Sequence, residues 1–425
     1  MHYIREKRLR ANVRITFFFC RLRMSSPKRD PMTPAERRAG VSLASIFALR
    51  MLGLFLILPV FAVHAHSIPG GDNLTLVGLA IGAYGLTQAC LQIAFGAASD
   101  RFGRKPVILF GLLLFVIGSA VAAMADNIYV IIAGRVLQGA GAISAAVTAL
   151  AADLTRDQHR TKVMAMIGSS IGLVFAASMV AAPLLYSAIG MAGIFWLTAA
   201  LAAGAMVVVV WVVPEAPPVP RATAGRFVDI LRDSQLMRLN FGVFALHLIQ
   251  TTMWVMVPAA LVSKGGLALA EHWKVYLPAV LLSFVVMVPA IIVAERHNRF
   301  KQIFNTAVAL LVVVQFGLYA WADGLMSIAL WLTLFFVAFN ILEATQPSWI
   351  SRIAPPASKG TALGVYNTLQ SFGLFLGGVL GGWLGQHFGN GGVALACAVL
   401  ALLWLALSAT MTPPPIRKAA VAASN

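Results

Sequence analysis

Long apolar stretches separated by short polar breaks follow one another along almost the whole chain. Each stretch holds about 20 mostly apolar residues or more, the length that an α-helix needs to cross the hydrocarbon core of a bilayer. The strict alternation of apolar and polar residues that is typical of barrel strands is not found. The pattern predicts twelve membrane-spanning helices, numbered 1 to 12, over residues 42–65, 74–99, 106–124, 128–152, 161–189, 193–213, 237–263, 275–294, 302–322, 326–351, 360–387 and 391–411.

Polar segments divide this series of helices into two sets of six. Prolines between Pro214 and Pro220 end helix 6, and a short amphipathic helix follows, with Phe227, Ile230 and Leu231 on one face and Arg226, Asp229, Arg232 and Asp233 on the other. Met24 and Met32 are alternative start residues, so that the first part of the tail carries little weight. The predicted organisation is a basic tail (1–40), a six-helix bundle (41–213), a linker (214–236), a second six-helix bundle (237–411) and a second tail (412–425).

The charges orient this arrangement. The chain is 60% hydrophobic and 11% charged, with a net charge of +17. If both termini are cytoplasmic, the lysines and arginines of the tails and loops all lie on the cytoplasmic side except Lys264 and Lys274, in agreement with the positive-inside rule. Topology thus accounts for the positive charge, and no nucleic-acid partner is predicted. The cysteines Cys20, Cys90 and Cys397 are scattered, which predicts neither a metal site nor a cofactor.

The two sets of helices carry a repeated loop. The stretch DRFGR (100–104) between helices 2 and 3 has a counterpart in ERHNR (295–299) between helices 8 and 9. Gly103 aligns with Asn298, and these are the residue types that most readily adopt a positive φ. Two helical halves with repeated inner loops are typical of secondary transporters, whose substrate site lies between the halves near the middle of the membrane.

Three motifs resemble those of a known family. Gly96, Asp100, Arg101, Gly103, Arg104 and Lys105 resemble motif A of the major facilitator superfamily. GRVLQGAG (134–141) resembles its motif B, and RMLGLFLILPV (50–60) resembles the helix 1 motif of the drug:H⁺ antiporter branch with twelve spans. The resemblance implies an all-α membrane protein of two pseudo-symmetric six-helix bundles in a bacterial inner membrane. Such a protein is expected to work by alternating access, as a monomer, with the proton as coupling ion.

The resemblance also gives the charged loop a role. Asp100 lies among Arg101 and Arg104, and Asp153 at the inner end of helix 4 is within reach. The family fold places helix 2 beside helix 11, whose positive N-terminus near Gly360 would favour a carboxylate. We expect this cluster to act as a cytoplasmic latch between the halves that stabilises the outward-open state. The alternative is that the loop only supplies positive charge on the cytoplasmic side.

Three charged residues, Arg50, Arg135 and Glu343, lie within predicted spans, where each costs roughly 2.5–3.5 kcal/mol unless it faces the interior or water. Glu343 is the only acid deep within a span, and burial favours the neutral form of a carboxyl group, which would let it exchange protons near neutral pH. Glu343 is therefore the predicted proton-coupling residue, with His247 as a second titrating group and Arg135 as a partner for a carboxylate or an anionic substrate. The alternatives are structural hydrogen bonding for Glu343 and His247, and snorkelling for Arg50.

Polar side chains at helical spacing predict the lining of a central cavity. The candidates are Arg50, Tyr84, Gln88, Gln92, Gln138, Asn240, Gln250, Asn340, Tyr366, Asn367 and Gln370. Such groups equally serve as hydrogen bonds between helices. Few charges and many aromatic residues predict an apolar pocket.

The chain is thus expected to export small lipophilic or drug-like compounds in exchange for protons, as multidrug efflux proteins do. A proton symporter or facilitator for a small metabolite is the alternative, because Ala182–Pro183 stands where the antiporter motif of helix 5 has Gly-Pro. An enzyme is not expected, since no dense cluster of His, Asp or Ser lies at a membrane face.

Overall fold

The computed structural model describes residues 31–215, 227–297, 299–355 and 359–413. Within these ranges, ten helices are long and apolar enough to cross a membrane. Their segments are Pro34–Phe55 and Leu58–Ala65 (helix 1), Leu74–Phe102 (helix 2), Arg104–Ala123 (helix 3), Ile128–Ala140 and Ser144–Asp153 (helix 4), Asp157–Trp211 (helices 5 and 6), Ser234–Ser263 (helix 7), Trp273–Arg296 (helix 8), Phe300–Trp321 (helix 9), Leu325–Ile353 (helix 10) and Lys359–Ala409 (helices 11 and 12). Two short helices, Phe227–Arg232 and Leu269–Glu271, stand in the connections.

Two of the long helices each contain two predicted spans. Asp157–Trp211 has 55 residues and Lys359–Ala409 has 51. Straight helices of this length would measure roughly 77–83 Å, more than twice the hydrocarbon thickness of about 30 Å. Each is interrupted by one glycine, Gly190 with φ +66° and Gly389 with φ +64°, a conformation that glycine adopts without steric penalty. Because the interruptions fall between helices 5 and 6 and between helices 11 and 12, the ten helices fit twelve spans.

The two halves of the chain pair their helices in the same way. Helix 1 packs against helices 5 and 6, helix 2 against helix 4, and helix 3 against helices 4 and 6. In the second half, helix 7 packs against helices 11 and 12, helix 8 against helix 10, and helix 9 against helices 10 and 12. This repeated pairing gives two pseudo-symmetric bundles. We call the side that carries residues 99–105 the inner side and the opposite side the outer side.

Helices 2 and 11 join the halves on the outer side. The backbone amide of Leu74 donates to Gln386 Oε1 at 2.9 Å. One turn further, a Cβ added to Gly78 would overlap the carbonyl oxygen of Gly378, and a Cβ added to Gly378 would overlap that of Gly78. Only glycine permits such a close approach of two backbones. The outer side between helices 2 and 11 is therefore closed by direct contact.

The inner side is open. A Cβ added to Gly168 or Gly172 on helix 5, or to Gly360 or Gly364 on helix 11, would meet no atom within 4 Å. A groove of about 570 Å³ lies between the inner parts of helices 1 and 5, lined by Val41, Ala44, Ser45, Ala48, Lys162, Ala165, Met166, Ser169 and Ser170. The backbone contact between the halves thus lies on the outer side, and the inner parts of helices 5 and 11 are uncovered.

The structure differs from the sequence prediction in helix 4. Helix 4, predicted as one element, is interrupted at Gly141, where φ and ψ are −74° and 54°. In the linker helix, Ile230 of the predicted apolar face is buried against the second half, and Leu231 of the same face is 43% exposed. Predictions for residues 1–30, 216–226, 298, 356–358 and 414–425 lie outside the described residues.

Candidate functional site

Five aromatic side chains from both halves meet near the middle of the bundle, and we call them the aromatic plug: Phe55, Phe175, Trp254, Phe336 and Phe339. The ring of Phe175, on helix 5, lies 5.1 Å from that of Phe55 in its own half. It also lies 6.0–6.4 Å from the rings of Trp254, Phe336 and Phe339 in the other half. The aromatic plug therefore closes the outer end of the space between the halves.

Glu343 lies just inside the aromatic plug. On helix 10, Phe339 follows Phe336 by three residues and Glu343 follows Phe339 by four. The three side chains therefore share one face. Since this face meets Phe175 of the other half, Glu343 faces the space between the halves, one turn nearer the inner side. Its side chain is 40% exposed. Its Oε2 atom is out of solvent contact, 3.5 Å from Nε2 of His247.

His247, on helix 7, is almost fully buried and contacts helix 11. Its Nδ1 lies 3.0 Å from the carbonyl oxygen of Val243, and its Nε2 lies 2.7 Å from the amide nitrogen of Gln370. The imidazole is thus held at both ring nitrogens, by the backbone of helix 7 and by a side chain of helix 11. Tyr366 on helix 11 is buried and interacts electrostatically with Glu343.

The structure thus brings four of the predicted site residues, Glu343, His247, Tyr366 and Gln370, into one cluster. Other cavity candidates have different partners or are recorded only as buried. Asn340 donates to Ser283 Oγ of helix 8 at 2.7 Å. Gln92, Asn240 and Gln250 are buried, and Asn367, half-buried, accepts through its backbone from Ser371.

Arg50 is fully buried in the first half at 1% exposure. Its Nη2 donates to Tyr84 Oη at 2.6 Å, to Gln88 Oε1 at 3.3 Å and to the carbonyl oxygen of Gly141 at 3.1 Å, and its Nη1 donates to Ser144 Oγ at 3.3 Å. It thereby supplies a donor to a carbonyl at the interruption of helix 4, where the regular helical bonds are lost. The side chain ties helices 1, 2 and 4 together through neutral acceptors.

Arg135, on helix 4, is also buried within the first half. It donates to the carbonyl oxygens of Ala80 and Ile81 on helix 2, at 3.2 and 3.3 Å, and to Gln138 Oε1 at 2.7 Å. The guanidinium therefore points into helix 2. The structure does not bring Arg135 to Glu343, which lies in the other half, and Gln138 serves as its partner.

The polar contact that joins the halves near the middle runs through Gln88. Its amide nitrogen donates to Ser371 Oγ on helix 11 at 3.2 Å, while its oxygen accepts from Arg50. Close by, a Cβ added to Gly85 would lie 2.5 Å from the carbonyl oxygen of Ser371. Ser371 follows Gln370 in the chain, so that the contact between the halves adjoins the cluster around His247.

The charged loop between helices 2 and 3 keeps its partners within the first half. Arg104 donates to Asp153 Oδ2 at 2.9 Å and to Ser99 Oγ at 2.8 Å, and it pairs with Asp100. Lys105 pairs with Glu215, after helix 6, at 2.6 Å. The carboxylate of Asp100 is 57% exposed on the open inner side.

The remaining motif residues shape this loop. Gly103 has φ +95° and reverses the chain between helices 2 and 3. The guanidinium of Arg101 lies 5.3 Å from the ring centre of Phe102, and a Cβ added to Gly96 would come no closer than 3.6 Å to Ala145. In the second half, Glu295 pairs with Arg352, which also lies over the ring of Phe300.

No three His, Cys, Asp or Glu side chains gather as a metal site in the part of the chain that the structure describes.

The family model described as Major Facilitator Superfamily matches residues 43–378. The chain belongs to the major facilitator superfamily. It is accordingly a multi-pass membrane transporter for small molecules and not an enzyme.

Relatives within the superfamily cover most of the chain. The inner membrane transport protein YajR of Escherichia coli is 46% identical over 389 residues, which are 90% of this chain and 85% of that protein. The multidrug resistance protein MdtH of Proteus mirabilis is 25% identical over 342 residues, which are 79% of this chain and 84% of that protein.

A solved structure of the superfamily shares the fold. The human organic anion transporter MFSD10 superposes with a TM-score of 0.68 at 20% identity, covering 88% of this chain and the whole of that chain. At this identity the likeness concerns the fold alone.

Several residues of the site do not stand out in the sequence. Phe175 is one of 25 phenylalanines, and nothing in its neighbours distinguishes it. Ser371 comes just before the glycines that repeat every four residues from Gly373, a pattern typical of helix packing. The spacing of Phe336, Phe339 and Glu343 could have indicated the site from the sequence, because it puts an acid on an aromatic face of one helix.

Proposed function

We propose that this transporter exports small lipophilic or drug-like compounds across a bacterial inner membrane in exchange for protons, with both termini in the cytoplasm. The observation that carries the proposal is the pair of Glu343 and His247, placed between the halves, in the middle of helices 10 and 7, and on the inner side of the aromatic plug. A carboxyl group and an imidazole at 3.5 Å can hold and pass a proton, and such groups within a membrane typically mark proton pathways.

The surroundings of Glu343 support an apolar substrate. The aromatic plug offers rings on the outer side of the site, and the ring of Phe339 also lies 5.9 Å from that of His247. Pockets of this kind favour lipophilic solutes with few polar groups. The name of the MdtH relatives, multidrug resistance proteins, is in keeping with this substrate class. Substrate arriving at Glu343 displaces its proton, and the halves then rock to open the outer side.

Proton release from the purified protein tests this function. A panel of lipophilic cations and neutral drugs is added to protein in weakly buffered detergent solution, and the released protons are measured with a pH indicator. We expect release from the native protein and none from Glu343→Gln, which keeps the shape of the side chain but cannot titrate. Asp323→Asn serves as the control, because Asp323 is an exposed acid at the outer side that pairs with Lys264.

Three results would contradict the proposal. Release that persists in Glu343→Gln would exclude Glu343 as the coupling group. Compound flux in vesicles without proton release would indicate a facilitator, and compound and proton movement in the same direction would indicate a symporter for a metabolite.

We further propose that the loop around Asp100 latches the halves in the outward-open state. In this structure Asp100 pairs with Arg104 of its own half. The start of helix 11 at Gly360, the expected partner of the latch in the other half, is uncovered. An exposed pair of this kind contributes only about 0.2–1 kcal/mol to stability. We therefore expect Asp100→Asn to leave the thermal unfolding midpoint nearly unchanged but to lower the outward-open fraction.

Spin labels at Asp72 and Asp323 would report this fraction. Both side chains are exposed on the outer side, one in each half. The distance distribution between the labels is compared for native and Asp100→Asn protein. A control, Asp126→Asn, removes an acid at the outer end of helix 3. An unchanged distribution in Asp100→Asn would argue that the loop serves only as a positive anchor.

A further inference from the structure

The groove between the inner parts of helices 1 and 5 has two basic side chains at its inner end. Lys162, near the start of helix 5, belongs to the lining of the groove. Arg37, on helix 1, precedes Val41 of the lining by four residues and therefore lies on the same face, one turn nearer the inner side. Both residues are exposed, and neither side chain has a hydrogen bond or an ion pair among the described residues.

The acidic side chains near this end of the groove already have basic partners. Glu36, next to Arg37, is buried and accepts two bonds from the guanidinium of Arg156, at 2.8 and 2.9 Å. Asp153, at the end of helix 4, accepts a bond from Arg104 at 2.9 Å. These acids therefore do not neutralise the two cations of the groove, and the local charge favours the binding of an anion.

Beyond the two cations the groove is lined by small and apolar side chains. Alanine and serine form most of its walls, with Val41 and Met166 as larger members. The hydroxyls of Ser45 and Ser170 are already bonded to backbone carbonyls, those of Val41 and Ala44, at 2.9 and 3.1 Å. The walls thus offer a polar solute little to bind. The volume of about 570 Å³ lies within the range of roughly 300–1,000 Å³ that is usual for ligand pockets.

The groove extends from the level of the lipid headgroups towards the middle of the membrane. Arg37 and Lys162 lie at the inner ends of the predicted spans of helices 1 and 5. Leu173 follows Ser169 of the lining by four residues, so that it continues the same face of helix 5 one turn deeper. Leu173 is 71% exposed, and Val41 is 52% exposed. A long apolar chain lying along the groove would cover both.

We infer that this groove is a binding site for an anionic phospholipid of the leaflet on the inner side. The phosphate pairs with Arg37 and Lys162, and one acyl chain lies along the groove towards Leu173. Basic pockets between spans bind anionic headgroups in this way. A free anion would leave the apolar walls uncovered, and an uncharged lipid would leave the cations without a partner. The inference is independent of the proposed proton coupling, because neither Glu343 nor His247 lines the groove.

Quenching of a fluorophore placed in the groove tests this inference. Full-length protein whose Cys20, Cys90 and Cys397 have been replaced receives the single change Ser45→Cys and is labelled there with bimane. The protein in detergent micelles is then titrated with phosphatidylglycerol whose acyl chains carry bromine, which quenches the fluorophore only at short range. We expect saturable quenching by this lipid and none, over the same range, by brominated phosphatidylcholine with the same chains.

Three changes separate the roles of headgroup and chain. Arg37→Gln and Lys162→Gln should each weaken the binding of phosphatidylglycerol about fivefold, and together about thirtyfold, the effect of one and two basic residues near an anionic lipid surface. Ala165→Phe fills the groove at an exposed position and keeps both cations, and it should abolish saturable quenching. Arg296→Gln is the matched control, because Arg296 is an exposed arginine at the inner end of helix 8, outside the groove.

Several results would overturn the inference. Equal quenching by phosphatidylglycerol and phosphatidylcholine would show that the groove is ordinary lipid-facing surface. Unchanged binding in the variant that lacks both cations, or an equal loss in Arg296→Gln, would remove the headgroup site. Displacement of the lipid by inorganic phosphate would show that the anion alone fills the site. Tighter binding of brominated stearate than of phosphatidylglycerol would assign the groove to a free amphiphile. None of these results depends on proton release, which judges the proposed function separately.

Discussion

Replacing Gly378 with alanine is expected to hold the halves apart on the outer side and to reduce transport strongly. The added Cβ would overlap the carbonyl oxygen of Gly78 and lie 2.9 Å from the backbone nitrogen of Gly82. These are backbone atoms of the other half, so that no side-chain rotation relieves the clash. Overpacking of this kind costs roughly 1–3 kcal/mol, which lowers the equilibrium constant for closing the outer side about 5- to 150-fold.

The direction of this effect distinguishes the steric clash between helices 2 and 11 from the higher helix propensity of alanine. Alanine in place of glycine within a helix ordinarily stabilises it by about 0.5–1 kcal/mol. Gly385→Ala is the matched control on the same helix, because its added Cβ would meet Leu74 Cδ1 at an ordinary 3.5 Å. Transport into vesicles and the distance between labels at Asp72 and Asp323 measure the outcome. Equal behaviour of the two variants would show that the approach of helices 2 and 11 does not limit the cycle.

Replacing Arg50 with alanine is expected to lower the free energy of unfolding by about 4 kcal/mol. The change leaves the carbonyl oxygen of Gly141 and the hydroxyl of Tyr84 without their donor, at roughly 1–3 kcal/mol for each unpaired group. It also opens a cavity where a side chain with 1% exposure had been. Because the guanidinium ties helices 1, 2 and 4, the loss should spread through the first half.

Two further variants separate the contributions of Arg50. Arg50→Met keeps most of the volume and removes both the charge and the donors, and Arg50→Lys keeps the charge and fewer donors. Reversible unfolding in mixed micelles gives the free energies, and we expect the order native, Lys, Met, Ala from most to least stable. If Arg50→Met were as stable as the native protein, the cost of burying the unpaired charge would equal the hydrogen bonds that it makes.

The helices themselves were predictable because a membrane imposes a length and an apolar surface on each span. Gly190 and Gly389 fall in the short gaps that the pattern leaves between helices 5 and 6 and between helices 11 and 12. The same reasoning missed the interruption of helix 4 at Gly141, since a run of small and apolar residues looks alike whether its backbone bonds are intact or not. The donor that makes the interruption tolerable, Arg50, comes from another helix, and sequence spacing does not reveal such a contact.

The ionisable residues of the candidate site could be predicted from the sequence, but the contacts between them could not. Glu343 stood out as an acid within a span, and His247 as a titrating group on another helix. Their distance of 3.5 Å depends on the packing of helices 7, 10 and 11, which the sequence pattern does not determine. Arg135 was predicted on the same grounds, yet it bonds to the backbone of helix 2. A buried arginine satisfies its donors with whatever acceptors the fold presents, so that its residue type alone does not indicate which way it points.

The turns at Gly190 and Gly389 also determine where the protein can accept an added peptide. At each of them one helix continues into the next through a single glycine, and an inserted tag would have to fit between two packed helices. The connections at residues 66–73 and 264–268 contain several successive non-helical residues and are better sites, since exposed loops tolerate insertions. An epitope placed in either of these connections and probed with an antibody on intact cells would report on which side of the membrane these loops lie.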